Sequence, residues 1–461
     1  MPTQFDPPSG TRDFLAAEFS KREWAFDVLR SVLRGYGFEP LGTPAFERID
    51  LLLGKYGDDA EKLVFKILRR GEHEASGEAD LALRYDMTVP LARVMAAYGS
   101  QLPTPYKRYA IGPVWRADRP GRGRFREFTQ CDLDTIGSGS LLADAEVLCA
   151  HHDSMTALGL TDFTILLNAR QVLFGLLEVF SVPPELSQSV LISLDKLDKL
   201  SPDDVIADLV QRGLGEDAAA NLVGTMTAGD ATDRIRTVLK DSDTGLAGLD
   251  TVDELLTLVS GQIPAERIAF TPRMVRGLSY YTGPIWELAA AGVPGSVGSG
   301  GRYDHLIGQL GGPDLPGTGT SIGIERVLMM LPDDVAGRPA RIDVAVPVLG
   351  AELAGQSFAL AAAARAAGLA ASVYLGSSGK LGRQLKWASD EGARWCLIYG
   401  NAEREAGSVT VRDMVGADQT SVPLDGVTAY LAGAASGDSG DARRAGSAGP
   451  APAGETGGSD G

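Results

Sequence analysis

The sequence predicts two folded regions of different class: an α+β domain built on an antiparallel sheet and interrupted by a helical insertion, then a smaller C-terminal α/β domain. Three observations carry this reading. The stretch Tyr106–Gly137, YKRYAIGPVWRADRPGRGRFREFTQCDLDTIG, places two runs of strand character on either side of a Pro- and Gly-rich tip at Ala117–Gly123. Residues 171–263 hold short helical patterns joined by polar linkers, with no alternating run between them. From Ile342 onward, strands and helices alternate. The boundaries that follow are 1–170 and 264–333 for the first domain, 171–263 for the insertion, 342–433 for the second domain and 434–461 for a tail.

Composition narrows the class. A chain of 461 residues has room for two or three domains. Its 44% hydrophobic and 22% charged content is that of a soluble globular protein. Cys131, Cys149 and Cys396 are far apart with no CxxC spacing, which suggests a reducing, cytoplasmic setting and neither a disulfide framework nor a zinc site. Only four His occur, so a His-built metal centre is not expected. No export signal opens the sequence, and no apolar run reaches the roughly 18 residues of a membrane span. A net charge of −17 argues against nucleic-acid binding over the whole surface. It leaves room for a nucleic-acid partner held by a local basic patch, and Pro105–Gln130 holds seven Lys/Arg against two Asp/Glu.

Taken in order, Glu18–Arg34 spaces Trp24, Val28, Leu29, Val32 and Leu33 as one helical face, and Gly35 and Gly37 stop it. Phe38–Glu47 is extended and broken by Pro40 and Pro44, so it is a plain edge strand or a subunit contact. Leu81–Tyr85 alternates as a strand. Asp86 follows, then Thr88 at a capping position and Pro90 in the first turn of a helix whose buried stripe is Leu91, Val94, Met95 and Tyr98. An acid at such a junction is either a surface turn residue or a carboxylate projecting into a cleft. Asp144–Leu158 reads as a helix, and strand character returns over Arg273–Leu288. The stretch GSVGSGGRYDHLIGQLGG lacks the GK[ST] ending of a P-loop and the dinucleotide-type glycine pattern. Ser321–Leu331, SIGIERVLMML, turns from a strand end into a buried helix with Arg326 at its start. The second domain runs IDVAVPV, helix Gly355–Ala367, ASVYL, helix Lys380–Glu391, WCLIYG, SVTVRDM and Gly426–Leu431. Residues 434–461 are Gly/Ala/Ser/Pro-rich without apolar periodicity, which predicts disorder.

The hairpin carries the chemistry. Alternation puts Arg126, Phe128, Gln130, Asp132 and Asp134 on one face of its second strand. On its first strand, Arg108, Ala110, Gly112, Val114 and Arg116 share a face with small residues in the middle. An aromatic plate, an amide, carboxylates and guanidinium groups around such a floor suit a polyphosphate, an aromatic base and a small cationic or amino-bearing substrate. A solvated, charge-rich hairpin is the plainer alternative.

With these pieces placed, the chain resembles the histidyl-tRNA synthetase family of class II aminoacyl-tRNA synthetases over almost all of residues 5–433. SGTRDF is similar to the family's opening signature, and YGFEPLGTPAFER to motif 1, which implies a homodimer. WRADRPGRGRFREFTQCDLDTIG resembles motif 2 and SIGIER motif 3. RGLSYYTG resembles the family's RGLDYYTG signature, GSGGRYD the Gly-rich segment after it, and LDKLDKLSPDDV the eukaryote-like branch. The last domain resembles the family's anticodon-binding domain.

The resemblance implies a function and a set of roles. The implied reaction attaches L-histidine to tRNA(His) through a histidyl-adenylate, with ATP and Mg²⁺. Asp86 and Thr88 match the residues that hold the α-amino group, and Gln130 the one bridging the amino and carboxylate ends. Asp134 matches the acid that receives the imidazole, and Tyr280 and Tyr281 the tyrosines that close its pocket. Arg116 and Arg276 match the catalytic arginines on the α-phosphate, Arg276 also touching the substrate carboxylate. Arg124 and Arg326 match contacts to the outer phosphates, with Phe128 and Arg326 sandwiching adenine. Ser279 departs from the family, standing where the signature has Asp. The base for transfer to tRNA is Asp86 or an adenylate phosphate oxygen. Rival readings are the non-catalytic regulatory subunit of ATP phosphoribosyltransferase, a synthetase for another amino acid, and a tRNA-sensing module.

Overall fold

The computed structural model describes residues 5–53, 62–71, 76–198, 200–275, 280–293, 295–335 and 342–438. The chain divides into two compact units, Met1–Ala336 and Gly337–Gly461.

The first unit is α+β on a largely antiparallel sheet. Its strands are β1 (Glu39–Pro40), β2 (Phe46–Arg48), β3 (Lys66–Leu68), β4 (Ala79–Leu83), β5 (Tyr106–Trp115), β6 (Glu127–Ile136), β7 (Phe163–Ala169), β8 (Ile268–Phe270), β9 (Pro284–Ala290), β10 (Gly298–Arg302) and β11 (Gly317–Gly323). Eight of them form one sheet in the order β1-β5-β6-β11-β10-β9-β7-β8. The six central strands are antiparallel, and β1 and β8 join the edges in parallel. β2, β4 and β3 make a small separate antiparallel sheet. The Pro-broken segment thus supplies an edge strand, since Pro40 has no N–H to give to a ladder.

Helices Ala16–Gly35 and Leu141–Ala157 pack with the sheet into a core that contains Leu29, Leu33, Leu133, Leu148 and Ile165. Burying each such Leu stabilises by ~1.5–3 kcal/mol. The face of the first helix is rotated from expectation: Ala25, Phe26, Leu29 and Leu33 are buried, whereas Trp24, Val28 and Val32 are only half-buried. Arg22 shares the buried side of this helix, 3.0 Å from Glu325 and 2.7 Å from the Thr129 hydroxyl. Residues 170–259 are helical from Arg170–Val179 to Asp243–Val259, and their apolar side chains, such as Val172, Leu222 and Leu255, join the same core as the sheet.

Three local expectations change. Of the strand read over Arg273–Leu288, the described residues form a strand from Pro284, and 276–279 lie outside the described residues. Thr88 opens the Thr88–Tyr98 helix, but its side chain does not cap it; Asp86 Oδ1 does, accepting from the Thr88 and Val89 amides at 3.1 Å each. Tyr98 is exposed.

The second unit has its own sheet and core. Its strands β12 (Val344–Val346), β13 (Ala371–Val373), β14 (Trp395–Ile398), β15 (Ser408–Asp413) and β16 (Gln419–Pro423) lie in the order β13-β12-β14-β15-β16. The first three are parallel and the last two antiparallel to their neighbours. Val344, Val346, Leu360, Leu397, Val411 and Leu431 fill the core. The strand Gln419–Pro423 and helix Asn401–Ala406 were not foreseen, being short and mostly polar. The last helix, Val427–Asp438, continues past the expected start of the tail, and residues 439–461 lie outside the described residues.

Candidate active site

A cavity of about 510 Å³ opens over β6, β11, β10 and β9 in the first unit. Its floor follows from strand alternation. Phe128, Gln130, Asp132 and Asp134 all line it from β6, as their two-residue spacing requires. Neighbouring β11 places Gly319 opposite Asp134 and Ser321 opposite Asp132. Glycine is required at 319, because a Cβ there would collide with the Asp134 carboxylate.

Asp134 sits at one end of this floor. It is buried, with its Oδ2 2.8 Å from Nη2 of Arg108, and it accepts a hydrogen bond from the Tyr303 hydroxyl. Burial pushes its carboxyl above the usual range, against the opposing pull of Arg108 and Tyr303. Tyr280 meets the Tyr303 ring edge-on at 5.8 Å and the Tyr281 ring tilted at 4.9 Å, so three tyrosines wall this end. Burial raises the Tyr281 hydroxyl above its ordinary value, which keeps it a neutral donor. Asp86 enters from the β4–helix junction, held by the two amides it caps, and Thr88 lines the cavity beside it. Gln130 donates from Nε2 to the Ser321 hydroxyl at 2.7 Å, and its buried Oε1 has no hydrogen-bond partner among the described residues.

The other end is cationic and aromatic. Arg116, just past β5, donates from Nε to the Tyr85 carbonyl at 3.1 Å. Its guanidinium lies 4.2 Å from the Tyr85 ring centre and 5.2 Å from that of Phe128. Arg124 is exposed on the hairpin tip, 4.0 Å from Asp118. Arg326 is tied by Nη1 to the Ser296 carbonyl. Glu325 beside it accepts from the Thr129 amide at 2.9 Å and from Arg22, so the short helix Ile324–Met330 is pinned to β6. Gly123, at φ +69°, lets the tip close onto Met329 and the Arg326 stem.

All the expected site residues within the described chain therefore line one cavity: Asp86, Thr88, Arg116, Arg124, Phe128, Gln130, Asp134, Tyr280, Tyr281 and Arg326. Arg276 and Ser279 lie outside the described residues. The sequence reading placed Arg108 on the hairpin face without giving it a partner, and it missed Tyr303, Ser321 and Arg170. Arg170 opens its helix at the cavity wall with 4% exposure, and burial lowers its pKa. The signal for Tyr303 was its place directly after the glycines of GSGGRYD. Among the described residues, no group of three or more His, Cys, Asp or Glu is arranged to hold a metal ion.

The comparison with known proteins decides the family. A family model described as histidyl-tRNA synthetase matches residues 10–327. The chain belongs to the histidyl-tRNA synthetase family. A second model, described as anticodon binding domain, matches residues 343–433. A histidine--tRNA ligase from Gloeobacter violaceus is 38% identical over 457 residues, covering 92% of this chain and 97% of that protein. One from Ruegeria pomeroyi is 36% identical over 89% of each. Among solved structures, the histidyl-tRNA synthetase of Nostoc sp. PCC 7120 superposes with a TM-score of 0.75 at 28% identity, covering 93% of this chain and 99% of that one. A Bacillus halodurans protein described as an ATP phosphoribosyltransferase regulatory subunit/histidyl-tRNA synthetase shares the fold, with a TM-score of 0.70 at 20% identity. The antiparallel sheet with its covering helices is accordingly the class II synthetase fold.

Proposed function

We propose that this chain joins L-histidine to tRNA(His) in two steps, consuming ATP and releasing pyrophosphate and AMP. The observation that carries the reading is the polarity of the one cavity: buried carboxylates and tyrosines at one end, arginines and an aromatic plate at the other. An amino acid with an imidazole side chain suits the first end and a nucleoside triphosphate the second.

In the first step a histidine carboxylate oxygen attacks the α-phosphorus of ATP in line, and pyrophosphate leaves. The attacker is already an anion, so the step needs no general base. Its difficulty is bringing two anions together, and fixed guanidinium groups relieve that by positioning and charge stabilisation. Arg116 and Arg276 are assigned to the α-phosphate, Arg124 and Arg326 to the outer phosphates, and Phe128 with Arg326 to adenine. Asp86, Thr88 and Gln130 take the ammonium group, and Asp134 with the tyrosines takes the imidazole. Mg²⁺ would arrive on the ATP phosphates as part of the substrate, the usual habit of this ion. In the second step the acyl group passes to the ribose of the terminal adenosine of tRNA, whose anticodon is assigned to residues 342–433.

The regulatory-subunit reading is less supported, because Arg116, Arg124, Arg276 and Arg326 all stand in the sequence and the anticodon-type domain is present. Amino-acid-dependent ATP–pyrophosphate exchange with all twenty amino acids tests the proposal. Exchange with histidine alone is expected; no exchange, or exchange with another amino acid, would overturn it. A homodimer is also proposed, supported by Phe46, which is 50% exposed in the motif 1-like segment of a single chain. Light scattering at micromolar concentration should give twice the chain mass, and a fully active monomer would remove the claim. Three buried, unpaired cysteines support a cytoplasmic location.

A further inference from the structure

Arg302 ends β10, Tyr303 and Asp304 follow it, and the three side chains reach three different places in the first unit. Arg302 turns to the start of helix Leu141–Ala157, where its Nε lies 3.2 Å from Asp144 Oδ2 and its Nη2 donates to the Ser140 carbonyl at 3.0 Å. Tyr303 donates to Asp134. Asp304 meets Thr282, the residue directly after Tyr280 and Tyr281. The Thr282 hydroxyl donates to Asp304 Oδ2 at 2.9 Å and accepts from the Asp304 amide at 3.2 Å. Both roles of the hydroxyl are thus spent on one partner. Asp304 is held in turn, with its Oδ1 3.2 Å from Arg302 Nη1.

Thr282 needs such an anchor. It precedes β9, which begins two residues later at Pro284. Its amide donates to the Arg302 carbonyl at 2.8 Å, and its carbonyl accepts from Gln171 Nε2 at 2.9 Å. Glycines let the segment lie flat on the end of β10. A Cβ at Gly283 would come within 2.9 Å of Arg302 Cδ, and one at Gly301 within 2.9 Å of the Tyr281 ring. Backbone bonds therefore tie Thr282 to β10 and to the helix that begins at Arg170, and the hydroxyl adds the tie to Asp304.

We infer that Asp304 is a positioning residue that acts through the Thr282 hydroxyl to hold Tyr280 and Tyr281 at a fixed distance from Asp134, and so sets the selectivity of the pocket for an imidazole ring. The inference rests on the proposed function and deepens it, since it names what fixes the two walls of the ring pocket relative to each other. Tyr303 holds the Asp134 wall and Asp304 the tyrosine wall. The two residues are chain neighbours, with Cα atoms ~3.8 Å apart, so the spacing of the walls is set by one peptide unit. An imidazole offers a nitrogen on either side, and both can be met only while that spacing holds, because hydrogen bonds weaken steeply with misalignment. Thr282 and Asp304 themselves stand outside the cavity wall that Tyr280, Tyr281, Tyr303 and Asp134 line. Their effect on a ligand must pass through the tyrosines.

The test measures histidine binding by calorimetry, and by competition the binding of 2-thienylalanine, whose ring has no nitrogen. The proteins are the parent, Thr282→Val, Thr282→Ser and Asp304→Ala, with ATP KM in pyrophosphate exchange as a control. Thr282→Val keeps the branched shape and removes the hydroxyl. It is expected to weaken histidine ~10-fold while thienylalanine binding and ATP KM stay near parental values, so the selectivity ratio falls by the same factor. Thr282→Ser keeps the hydroxyl and should stay near the parent. Asp304→Ala should lower the ratio in the same direction, and it covers the case of a misfolded Thr282→Val. A merely structural role would reduce the amount of folded enzyme for both ligands alike and leave the ratio unmoved. A parental ratio in folded Thr282→Val or Asp304→Ala, or a Thr282→Ser that behaves like Thr282→Val, overturns the inference. A parent that binds histidine but shows no histidine-dependent exchange defeats the proposed function alone, and the binding ratios still decide the present point. A parent that binds no histidine rejects both.

Discussion

Arg108 and Asp134 are directly paired residues of adjacent strands, and they form a buried ion pair under the cavity with Nη2 2.8 Å from Oδ2. Arg108 also donates to the Met87 carbonyl at 3.0 Å, but its Nε and Nη1 have no hydrogen-bond partner among the described residues. Removing the acid therefore does more than change the substrate pocket. Asp134→Ala is expected to cost about 3–5 kcal/mol of stability, because it strands a buried guanidinium. Adding Arg108→Met should restore much of that loss without restoring histidine binding. Denaturant unfolding of the two single variants and the double variant, read as a cycle, checks it. A stable Asp134→Ala with additive effects would contradict the pairing.

His151 offers a test of acid stability. Its ring is fully buried in the Leu141–Ala157 helix, with Nδ1 2.9 Å from the Thr320 hydroxyl. Burial, with a smaller push from His152, lowers its pKa to about 3. Between about 6.5 and that value the unfolded chain binds a proton that the folded chain refuses. Stability from this group is thus complete above pH 6.5 and declines as pH falls, by ~1.4 kcal/mol per unit. Asp132 has the opposite sign. Its folded pKa of about 7 lies above the unfolded value, so its contribution is present at low pH and lost as pH rises from about 4 to 7. In the parent the two slopes offset each other near pH 4 to 6.5. Urea midpoints across that range should rise with pH more steeply in Asp132→Asn than in the parent, and less steeply in His151→Gln. Parallel curves for all three proteins would sink this assignment.

These two cases mark where the sequence was informative. Alternation is local, so the common face of Phe128, Gln130, Asp132 and Asp134 could be read from β6 alone. The partners beneath and beside that face could not. Tyr303 reaches Asp134 across 169 residues of chain, and Ser321 meets Gln130 across 191. Those meetings are set by the registers of β10 and β11, which depend on where glycines permit close approach. Arg108 was visible as a face residue of β5, but its burial under the floor depends on the β5–β6 register and on Met87 coming from another element. The first helix shows the same limit: apolar spacing alone favoured Trp24 and Val28, while the buried side also holds Arg22, paired with Glu325 from 303 residues away. Asp86 was placed correctly at its junction, yet its capping role belonged by composition to Thr88.

The second unit carries its own sheet and hydrophobic core, so its removal need not expose the core of the first. A chain ending before Ile342 should keep most of its histidine-dependent pyrophosphate exchange and lose most tRNA charging. Both activities would be measured on the same preparation, with circular dichroism to establish folding. Equal loss of both in a folded truncation would count against assigning the anticodon to residues 342–433.

Arg116 bears most directly on the first chemical step. Its Nε is spent on the Tyr85 carbonyl, and its plane is held beside the Tyr85 and Phe128 rings. Its two terminal nitrogens make no hydrogen bond or ion pair with the described residues, and the side chain lines the cavity. A guanidinium fixed in this way needs little reorganisation when charge develops on the phosphoryl oxygens, so its effect should be larger in the transition state than in ground-state binding. Loss of one preorganised donor of this kind costs about 10²–10³ in rate. Arg116→Ala is therefore expected to slow adenylate formation by about 10² or more, with a smaller change in histidine KM. Arg116→Lys restores the charge but neither the carbonyl anchor nor the fork, so it should recover only part of the rate. Thermal melting should change little, because the group borders a cavity and not the packed core. Single-turnover adenylate formation with pre-bound histidine decides the matter: a near-parental rate in a folded Arg116→Ala enzyme would remove this arginine from the mechanism.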